Sequence, residues 1–356
     1  MSRATSASIS SEIDFRELHA RYSRADFREF KKWARGTAQG SRRGGSLVRS
    51  VFVGSVVVST FISIALSALV IFSTMATTSP LWATLVGGPV IAAFIYLASV
   101  RLIDIWRRDV RLRVRWRRWM NLERFTLANT MVYTPEISSP SYPGSIFTIG
   151  TARRAFDVVT TSVGRYVEIG NYSFSGASGL NRSLNHCGYI RTLVDRRLPH
   201  LYLKSRKSRR FGAAFMRSQE FSLEGDFGKY FRLYTPLGYE RDALYIFTPD
   251  LMAVLIDEAS DFDVEFVDTQ VFFYSPRRFA MRDPRTYRRV VAVVDAVVGK
   301  ALRQTRAYSD ERTTGNFVAA RGARLGRGVT LAMVVGVMIL VAQITRAIIM
   351  LWNAAH

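Results

Sequence analysis

Two long uncharged stretches stand out in the pattern of apolar and polar positions. Residues Ser50 to Val100 form a run of 51 residues without Asp, Glu, Lys, Arg or His. A bilayer-spanning helix needs about 20 apolar residues, so this run is long enough for two helices. The small and polar segment Ser73–Pro80 marks their connection and predicts spans at Val51–Phe72 and Leu81–Val100. The second uncharged run, Gly328 to Thr345, covers 18 residues and predicts a third span at about Val329–Leu351.

Between the second and third spans the pattern changes to short β-rich runs and two helices. Strands are predicted at Phe156–Thr161, Arg165–Phe174, Cys187–Val194, His200–Lys204, Glu220–Glu224 and Tyr230–Tyr234. Two further runs, Phe262–Val267 and Val271–Tyr274, predict a hairpin around Asp268-Thr269-Gln270, and the prolines after Tyr133 predict a loop. Helices are predicted from Thr248-Pro249 and Asp283-Pro284. The fold class is therefore a membrane protein with three transmembrane helices and a soluble α+β domain with a mostly antiparallel sheet.

The first 45 residues predict an amphipathic helix. Ser11 and Asp14 have the spacing of a capping box, and Gly36 offers a stop. Apolar residues follow at roughly helical spacing between them: Phe15, Leu18, Tyr22, Phe30 and Trp33. This helix is expected on the inner membrane surface or packed against the soluble domain.

These elements predict five regions. They are an N-terminal cytoplasmic amphipathic segment (1–45), a two-helix transmembrane hairpin (46–103), a basic juxtamembrane helix (104–125), a cytoplasmic α+β domain (126–325), and the third transmembrane helix with a short external tail (326–356).

Charge adds an orientation. The chain has a formal net charge of +22. Arginines flank all three spans on the sides that connect to the N-terminus and the middle domain, whereas the connection between the first two spans is uncharged. The positive-inside rule then predicts a multi-pass plasma-membrane protein with its N-terminus and main domain in the cytoplasm and its C-terminus outside. Arg346 lies about one turn from the end of the third span, where its guanidinium can snorkel to the interface.

The densest basic segment directly follows the second span. Its position favours anionic lipid headgroups as the partner over nucleic acid, and a purely topogenic role is the simplest alternative. The arginines expected to contact headgroups are Arg101, Arg107, Arg108, Arg111, Arg113, Arg115, Arg117 and Arg118.

Signatures for common enzyme chemistry and cofactors are weak. The single cysteine, Cys187, rules out an internal disulfide, and Gly225–Lys229 lacks the spacing of a phosphate-binding loop. His186 precedes Cys187, but neighbouring strand residues point to opposite faces, so they are not expected to act as base and nucleophile. His200 is expected to be structural or solvent-facing. The sequence predicts no catalytic, cofactor-binding or metal-binding residues.

Acidic residues concentrate between Glu220 and Tyr274, where 12 acids face three bases. A divalent cation site is one interpretation, but Asp261, Asp263 and Glu265 lack the glycine of an EF-hand loop. Strand alternation predicts these three on one exposed face. The simpler interpretation is a solvated acidic surface that pairs with arginines of the same chain, of a protein partner or of a second copy.

Three segments carry a resemblance: FSLEGDFGKYFRLYTPLGYERDALYIFTPDLMAVLID (Phe221 to Asp257), RLPHLYLKS (Arg197 to Ser205) and YVEIGNYSFSGASG (Tyr166 to Gly179). They are similar to an uncharacterised family of bacterial integral membrane proteins with a cytoplasmic α+β domain. The resemblance covers roughly residues 151–308, which are most of the soluble domain, and less clearly the spans. It implies the architecture and transfers no catalytic or binding residues.

Three functions remain open from the sequence. The favoured one is a membrane-anchored binding, scaffold or sensing protein that acts through its cytoplasmic domain. A membrane-bound enzyme is the alternative, and it would need carboxylates such as Glu224, Asp226 and Asp242 to converge. A subunit of an oligomeric channel or transporter has the least support, because the spans contain few polar residues apart from Ser and Thr.

Overall fold

The computed structural model describes residues 13–36, 116–176, 184–208, 215–306, 308–313 and 315–326, and the single positions 73, 96 and 345. The three predicted spans lie outside the described residues, except for Tyr96 and Thr345, which are helical. Ser73, placed in the predicted connection, is helical as well. Within the described ranges, no helix combines the length and the hydropathy that a membrane crossing requires.

The described domain contains seven strands and several short helices. The strands are β1 (Met131–Ser138), β2 (Thr151–Thr161), β3 (Val167–Ser175), β4 (Leu184–Ser205), β5 (Glu220–Phe221), β6 (Phe231–Tyr234) and β7 (Asp263–Ser275). The helices are α1 (Arg16–His19), α2 (Arg24–Gly36), α3 (116–128), α4 (Phe227–Tyr230), α5 (Glu240–Ile246), α6 (Pro249–Ala259), α7 (Pro284–Val293), α8 (Gly299–Thr305) and α9 (Ala320–Ala323). Single 3-10 turns occupy Ser145–Thr148 and Arg217–Gln219, and a π-helical turn, Val294–Val298, joins α7 to α8.

The sheet is antiparallel throughout and is organised around β4. β7 pairs with one edge of β4 along most of its length. The opposite edge of β4 pairs with β3 in its first half and with β6 in its second half. β2 and β1 extend the sheet beyond β3, and β5 extends it beyond β6. The predicted α+β class with a mostly antiparallel sheet is confirmed for the described domain.

A sharp bend folds the β4–β7 ribbon onto itself. Register shifts interrupt the β4–β7 pairing between Leu193 and Leu201, and Asp268 of β7 has a left-handed backbone with φ 54°. Glu265 and Tyr274 would lie about 30 Å apart on a straight strand. Their side chains are in fact hydrogen-bonded at 2.6 Å, so the bend brings the two halves of the ribbon face to face.

The bend encloses an aromatic core on the concave face of the sheet. Phe147, from the turn before β2, packs on Tyr172 of β3 and Tyr189 of β4 with ring centroids 4.6 and 5.2 Å apart. On the other face, α7 packs against β3, where Val290 and Ile169 line the same small apolar cavity. Alternate residues of β3 thus serve two cores, which explains why β3 is buried along almost its whole length.

Contacts divide the chain into two units, Met1–His19 with Leu122–His356, and Ala20–Asn121. In the second unit, Phe30 of α2 packs edge-on against Trp119 of α3 at 5.7 Å. Asn121 also donates to the backbone oxygen of Ala20 at 3.2 Å.

The N-terminal segment, Ile13–His19, belongs to the unit of the α+β domain. Asn129 fixes it with two hydrogen bonds, because its side chain accepts from the backbone N–H of Asp14 at 2.8 Å and donates to the Asp14 oxygen at 2.9 Å. Phe15 stacks on Phe125 at 6.1 Å, and Arg282 donates to the backbone oxygen of Leu18 at 3.3 Å. This segment is therefore anchored at several points.

The prediction of a single N-terminal helix is wrong. The chain forms two helices, α1 and α2, and the capping box lies at the second of them: Ser23 and Asp26 exchange backbone-to-side-chain hydrogen bonds of 3.0 and 3.1 Å. The predicted box partner Ser11 lies outside the described residues, and Asp14 instead forms an ion pair with Arg16. The described part of α2 reaches Gly36, the predicted stop, and the residues that follow lie outside the described ones.

Three strand predictions also need correction. The predicted loop after Tyr133 begins with strand β1, which tolerates Pro135 because a terminal strand of the sheet leaves backbone groups on one side unpaired. β4 is one strand through Pro199 rather than two. β7 is likewise one strand rather than a hairpin, because Asp268 absorbs an irregularity within the strand instead of reversing the chain.

Candidate functional site

The most concentrated polar cluster of the described domain surrounds the carboxylate of Glu265 on the concave face. His200 Nε2 lies 2.5 Å from Oε1, and the hydroxyl of Ser145 donates to the same oxygen at 2.5 Å. The Ser145 backbone N–H reaches both carboxylate oxygens at 2.9–3.0 Å, and the Tyr274 hydroxyl donates to Oε2 at 2.6 Å. We call these four residues the Glu265 network.

Local structure places each member of the network. Glu265 lies on β7, and His200 lies on the neighbouring strand β4 where the pairing of the two strands shifts register. Ser145 opens the turn after the Pro143-Gly144 segment. Gly144 is needed there, since a Cβ atom at this position would lie 2.3 Å from the Tyr274 hydroxyl. The turn can therefore approach the carboxylate closely enough for its backbone to donate.

The network resembles a catalytic triad in composition but not in its hydrogen bonding. The backbone N–H of Leu325 donates to His200 Nδ1 at 2.9 Å, so this nitrogen carries no proton. The proton of the neutral ring is on Nε2 and is donated to Glu265. His200 therefore has no free lone pair with which to activate the Ser145 hydroxyl, and this hydroxyl itself donates to Glu265.

Burial and hydrogen bonding have opposite effects on the pKa of the Glu265 carboxyl. Burial alone raises the pKa of its carboxyl, but the hydrogen bonds from His200, Ser145 and Tyr274 outweigh it and leave the pKa below its usual range. The side chain is completely buried. The network thus supports a structural buried carboxylate rather than an accessible reaction centre.

A second buried carboxylate, Asp263, lies two residues earlier on β7. It accepts from the Tyr202 hydroxyl at 3.0 Å and from the Ser205 backbone N–H at 2.8 Å. Burial raises its pKa to about 7, although both hydrogen bonds act in the opposite direction. The expectation that Asp261, Asp263 and Glu265 share an exposed strand face is therefore wrong, because Asp263 and Glu265 face the inside of the bend and only Asp261 is exposed.

Three further acids of the predicted acidic surface, Glu258, Asp261 and Asp268, pair with arginines of the same chain. Arg289 of α7 contacts Glu258 at 3.1 Å and Asp261 at 3.0 Å, and Arg324 contacts Asp268 at 2.9 Å. Within the described part of the chain, no three His, Cys, Asp or Glu side chains are grouped as a metal ion would require. For these acids, pairing within the chain is the observed arrangement.

The carboxylates that an enzyme would have to combine lie in different surroundings. Asp226 is paired with Lys229 at 2.7 Å, and both side chains are exposed. Asp242 accepts from the Tyr308 hydroxyl at 2.8 Å and from Arg312 at 3.1 Å. Glu224 is exposed. The described contacts therefore do not bring these carboxylates to one site.

His186 and Cys187 lie in different environments. Cys187 is completely buried in the aromatic core, and burial raises the pKa of its thiol. His186 is partly exposed, and its pKa is lowered by burial and by the nearby charge of Arg278. A deprotonated thiolate, which nucleophilic chemistry requires, is thus disfavoured at Cys187.

Two polar clusters escaped the sequence analysis because their members are far apart in the chain. In one, Arg191 contacts Glu168 at 3.1 Å and lies 4.4 Å from the ring centre of Tyr142. In the other, Asp310 accepts from the Tyr239 hydroxyl at 2.6 Å and pairs with Arg312 at 3.1 Å. The second cluster fixes the C-terminal segment, residues 308–326, to the rest of the domain.

Most arginines of the predicted lipid contact lie outside the described residues. Only Arg117 and Arg118 are described, both on α3, and Arg117 is exposed. The others are Arg101, Arg107, Arg108, Arg111, Arg113 and Arg115.

Comparisons with known proteins add little to this site. No family model matches the chain, and no curated protein matches it. A solved structure with local similarity is the crystal structure of the mycobacterial trehalose monomycolate transport factor A, TtfA. The match has 14% identity and a TM-score of 0.31, and covers 49% of this chain and 93% of that chain. A similarity at this level carries no argument about the fold or function of this chain.

Proposed function

We propose that this chain is a multi-pass membrane protein of the bacterial plasma membrane whose α+β domain serves as an anchored binding or scaffold platform in the cytoplasm. The two long uncharged runs support the anchoring, and the flanking arginines support the orientation. The arrangement of the buried polar residues, which are occupied in holding the domain together, supports binding rather than catalysis.

One observation carries the proposal: the segment that leads to the predicted third span is fixed to the core of the domain. Leu325 donates to His200 of the Glu265 network, and the neighbouring Arg324 pairs with Asp268 at the bend. The domain would therefore be held in a defined orientation at the membrane, as a platform requires.

The N-terminal segment supports the same topology. Residues 13–19 precede the first two predicted spans, and they contact Phe125, Asn129 and Arg282, which follow both spans. Segments in contact lie on the same side of a membrane. The intervening chain then crosses the bilayer an even number of times, in agreement with two predicted spans.

The basic segment after the second span is proposed to contact anionic headgroups. Each basic residue close to such a surface contributes about 1 kcal/mol. The residues are Arg101, Arg107, Arg108, Arg111, Arg113, Arg115, Arg117 and Arg118. The further partner is proposed to be a protein, either another chain or a second copy.

Reporter fusions test the topology. A fluorescent protein that matures only in the cytoplasm should fluoresce when fused after residue 125 and stay dark when fused after residue 356. A phosphatase that is active only outside should give the opposite result at both positions. A fluorescent C-terminal fusion would contradict the third span and reduce the anchor to a two-helix hairpin.

Mass measurement tests the platform. Light scattering of the detergent-extracted full chain, after two different chromatographic steps, should give the mass of a stoichiometric assembly with a partner or a second copy. A monomer without any retained protein at both steps would contradict the proposed scaffold role.

A further inference from the structure

Residues 324–326, where the described chain leaves the domain towards the predicted third span, are held in place by an ion pair and hydrogen bonds. We call this point the exit. Three consecutive residues are held: Arg324 by Asp268, Leu325 by His200, and Gly326 by the backbone N–H of Met216, which donates to the Gly326 oxygen at 3.3 Å. Leu325 is also buried in the aromatic core. The position of Gly326 relative to the domain is therefore fixed.

Chain length limits the distance from this exit to the bilayer. The predicted span begins at about Val329, three residues beyond Gly326. Even a fully extended chain covers only about 10 Å over three residues. Side chains next to Gly326 must then lie close to the membrane–water interface.

The side chains at this exit have the chemistry of an interface. Met216 packs against Gly326, since a Cβ atom on this glycine would lie 3.1 Å from the Met216 sulfur. Met216 is nevertheless 47% exposed. Its neighbour Arg217 is exposed, as are Arg321 and Arg324. Arg324 and Asp268 form an ion pair, and Arg217 and Arg321 add two further positive charges.

We propose that Met216, Arg217, Arg321 and Arg324, which we call the exit surface, lie against the inner leaflet and bind anionic phospholipid headgroups. Met216 enters the interfacial layer with its flexible apolar side chain, and the guanidinium groups face lipid phosphates. This inference rests on the third span of the proposed function. It adds a second lipid contact, in the α+β domain itself, to the one proposed for the basic segment after the second span.

The exit surface also gives the domain a fixed orientation. One covalent connection would not by itself fix how the domain is oriented against the bilayer. Contacts of headgroups with Arg217, in the turn before β5, and with Arg321 of α9 would add the further constraint. The rest of the domain surface would then remain available for a protein partner.

Site-directed fluorescence tests the inference in the full chain. A thiol-reactive fluorophore is placed on Met216→Cys, and the protein is reconstituted into vesicles of phosphatidylcholine and phosphatidylglycerol that contain lipid with a nitroxide on its headgroup. Because Cys187 is buried, the unsubstituted protein should take up no fluorophore. The matched control is Lys229→Cys. Lys229 is exposed and lies on α4, which leads into the end of β6 that is remote from Gln219 and Met216.

The expected result is stronger nitroxide quenching at position 216 than at position 229. The additional substitutions Arg217→Gln and Arg321→Gln should abolish the excess quenching in anionic vesicles over purely zwitterionic ones. Equal quenching at both positions would overturn the inference, as would excess quenching that is insensitive to the two arginine substitutions. Arg217→Cys provides a second label position if Met216→Cys folds poorly.

The topology fusions separate the two possible failures. If the fusion after residue 356 is dark and position 216 is not quenched, the exit surface is refuted and the third span stands. If that fusion fluoresces, the third span is refuted, and with it the basis of this inference.

Discussion

At the scale of single residues, the domain depends on two buried carboxylates that are stabilised in different ways. Glu265 receives hydrogen bonds from three side chains and one backbone group, which compensates for its burial. Asp263 receives only two hydrogen bonds, and burial raises its pKa despite them. The two groups are therefore expected to respond differently to pH and to substitution.

The substitution His200→Ala should destabilise the domain by about 3 kcal/mol. It removes a donor from the buried Glu265 and leaves the Leu325 N–H without its acceptor, and unpaired buried groups are costly. His200→Gln should recover part of the loss, because an amide can both donate and accept. Denaturant unfolding of the full chain in detergent measures the change.

His186→Ala is the matched control for this experiment, since His186 lies on the same strand but is partly exposed. The His186→Ala substitution should lower the free energy of unfolding by less than about 1 kcal/mol. Equal losses at both histidines would contradict the role assigned to His200.

The substitution Asp263→Asn should change how stability depends on pH. The folded pKa of about 7 lies above the ordinary aspartate pKa of 3.8, so the folded state binds more protons than the unfolded state between these values. Stability therefore falls as pH rises through this window, by roughly 4 kcal/mol in full, and the loss is complete above about pH 7. An asparagine cannot ionise, so the variant should gain stability relative to the wild type between pH 5 and pH 8.

Denaturation midpoints at both pH values measure this relative gain. Asp261→Asn serves as the control, because Asp261 is exposed and paired with Arg289. A parallel pH response in the wild type and in Asp263→Asn would refute the raised pKa.

At the scale of elements, the beginnings of two helices show how similar sequences differ in detail. Thr248-Pro249 and Asp283-Pro284 open α6 and α7, as the sequence predicts. The Asp283 side chain accepts from the Arg285 backbone N–H at 2.9 Å, whereas Thr248 makes no such bond. Only the aspartate is therefore a true side-chain cap.

The substitution Asp283→Ala should accordingly lower the free energy of unfolding by about 1 kcal/mol. Thr248→Ala should lower it by only a few tenths of that amount. Asp283→Asn should be nearly neutral, because asparagine caps equally well. Thermal unfolding of the three variants provides the comparison. A larger loss for Thr248→Ala than for Asp283→Ala would contradict the assignment of the cap.

At the scale of the whole molecule, the acidic residues stabilise contacts within the chain. Arg289 pairs with Glu258 and Asp261, and Arg324 pairs with Asp268. Chelator should therefore leave the melting temperature of the full chain unchanged, and added calcium or magnesium should not raise it. A fall of several degrees with chelator, reversed by either cation, would indicate a metal site among these acids.

The sequence by itself determined the properties that depend on neighbouring residues. Runs of β-branched and aromatic residues gave most strands their correct type, and proline after a capping residue located α6 and α7. The spans are likewise predicted from local hydropathy alone. Local patterns gave wrong predictions where the chain bends. Asp268 indicated a hairpin turn and Pro199 a break between two strands, but both residues lie within continuous strands.

Only the tertiary structure decided which polar residues are buried and paired. Ser145 and Glu265 are 120 positions apart, and His200 and Leu325 are 125 apart. Strand alternation indicated one shared face for Asp263 and Glu265, but it could not indicate that the bend at Asp268 turns this face inward. The environment of a side chain is set by whichever segments pack against it, and the packing of distant segments is not encoded in any local pattern.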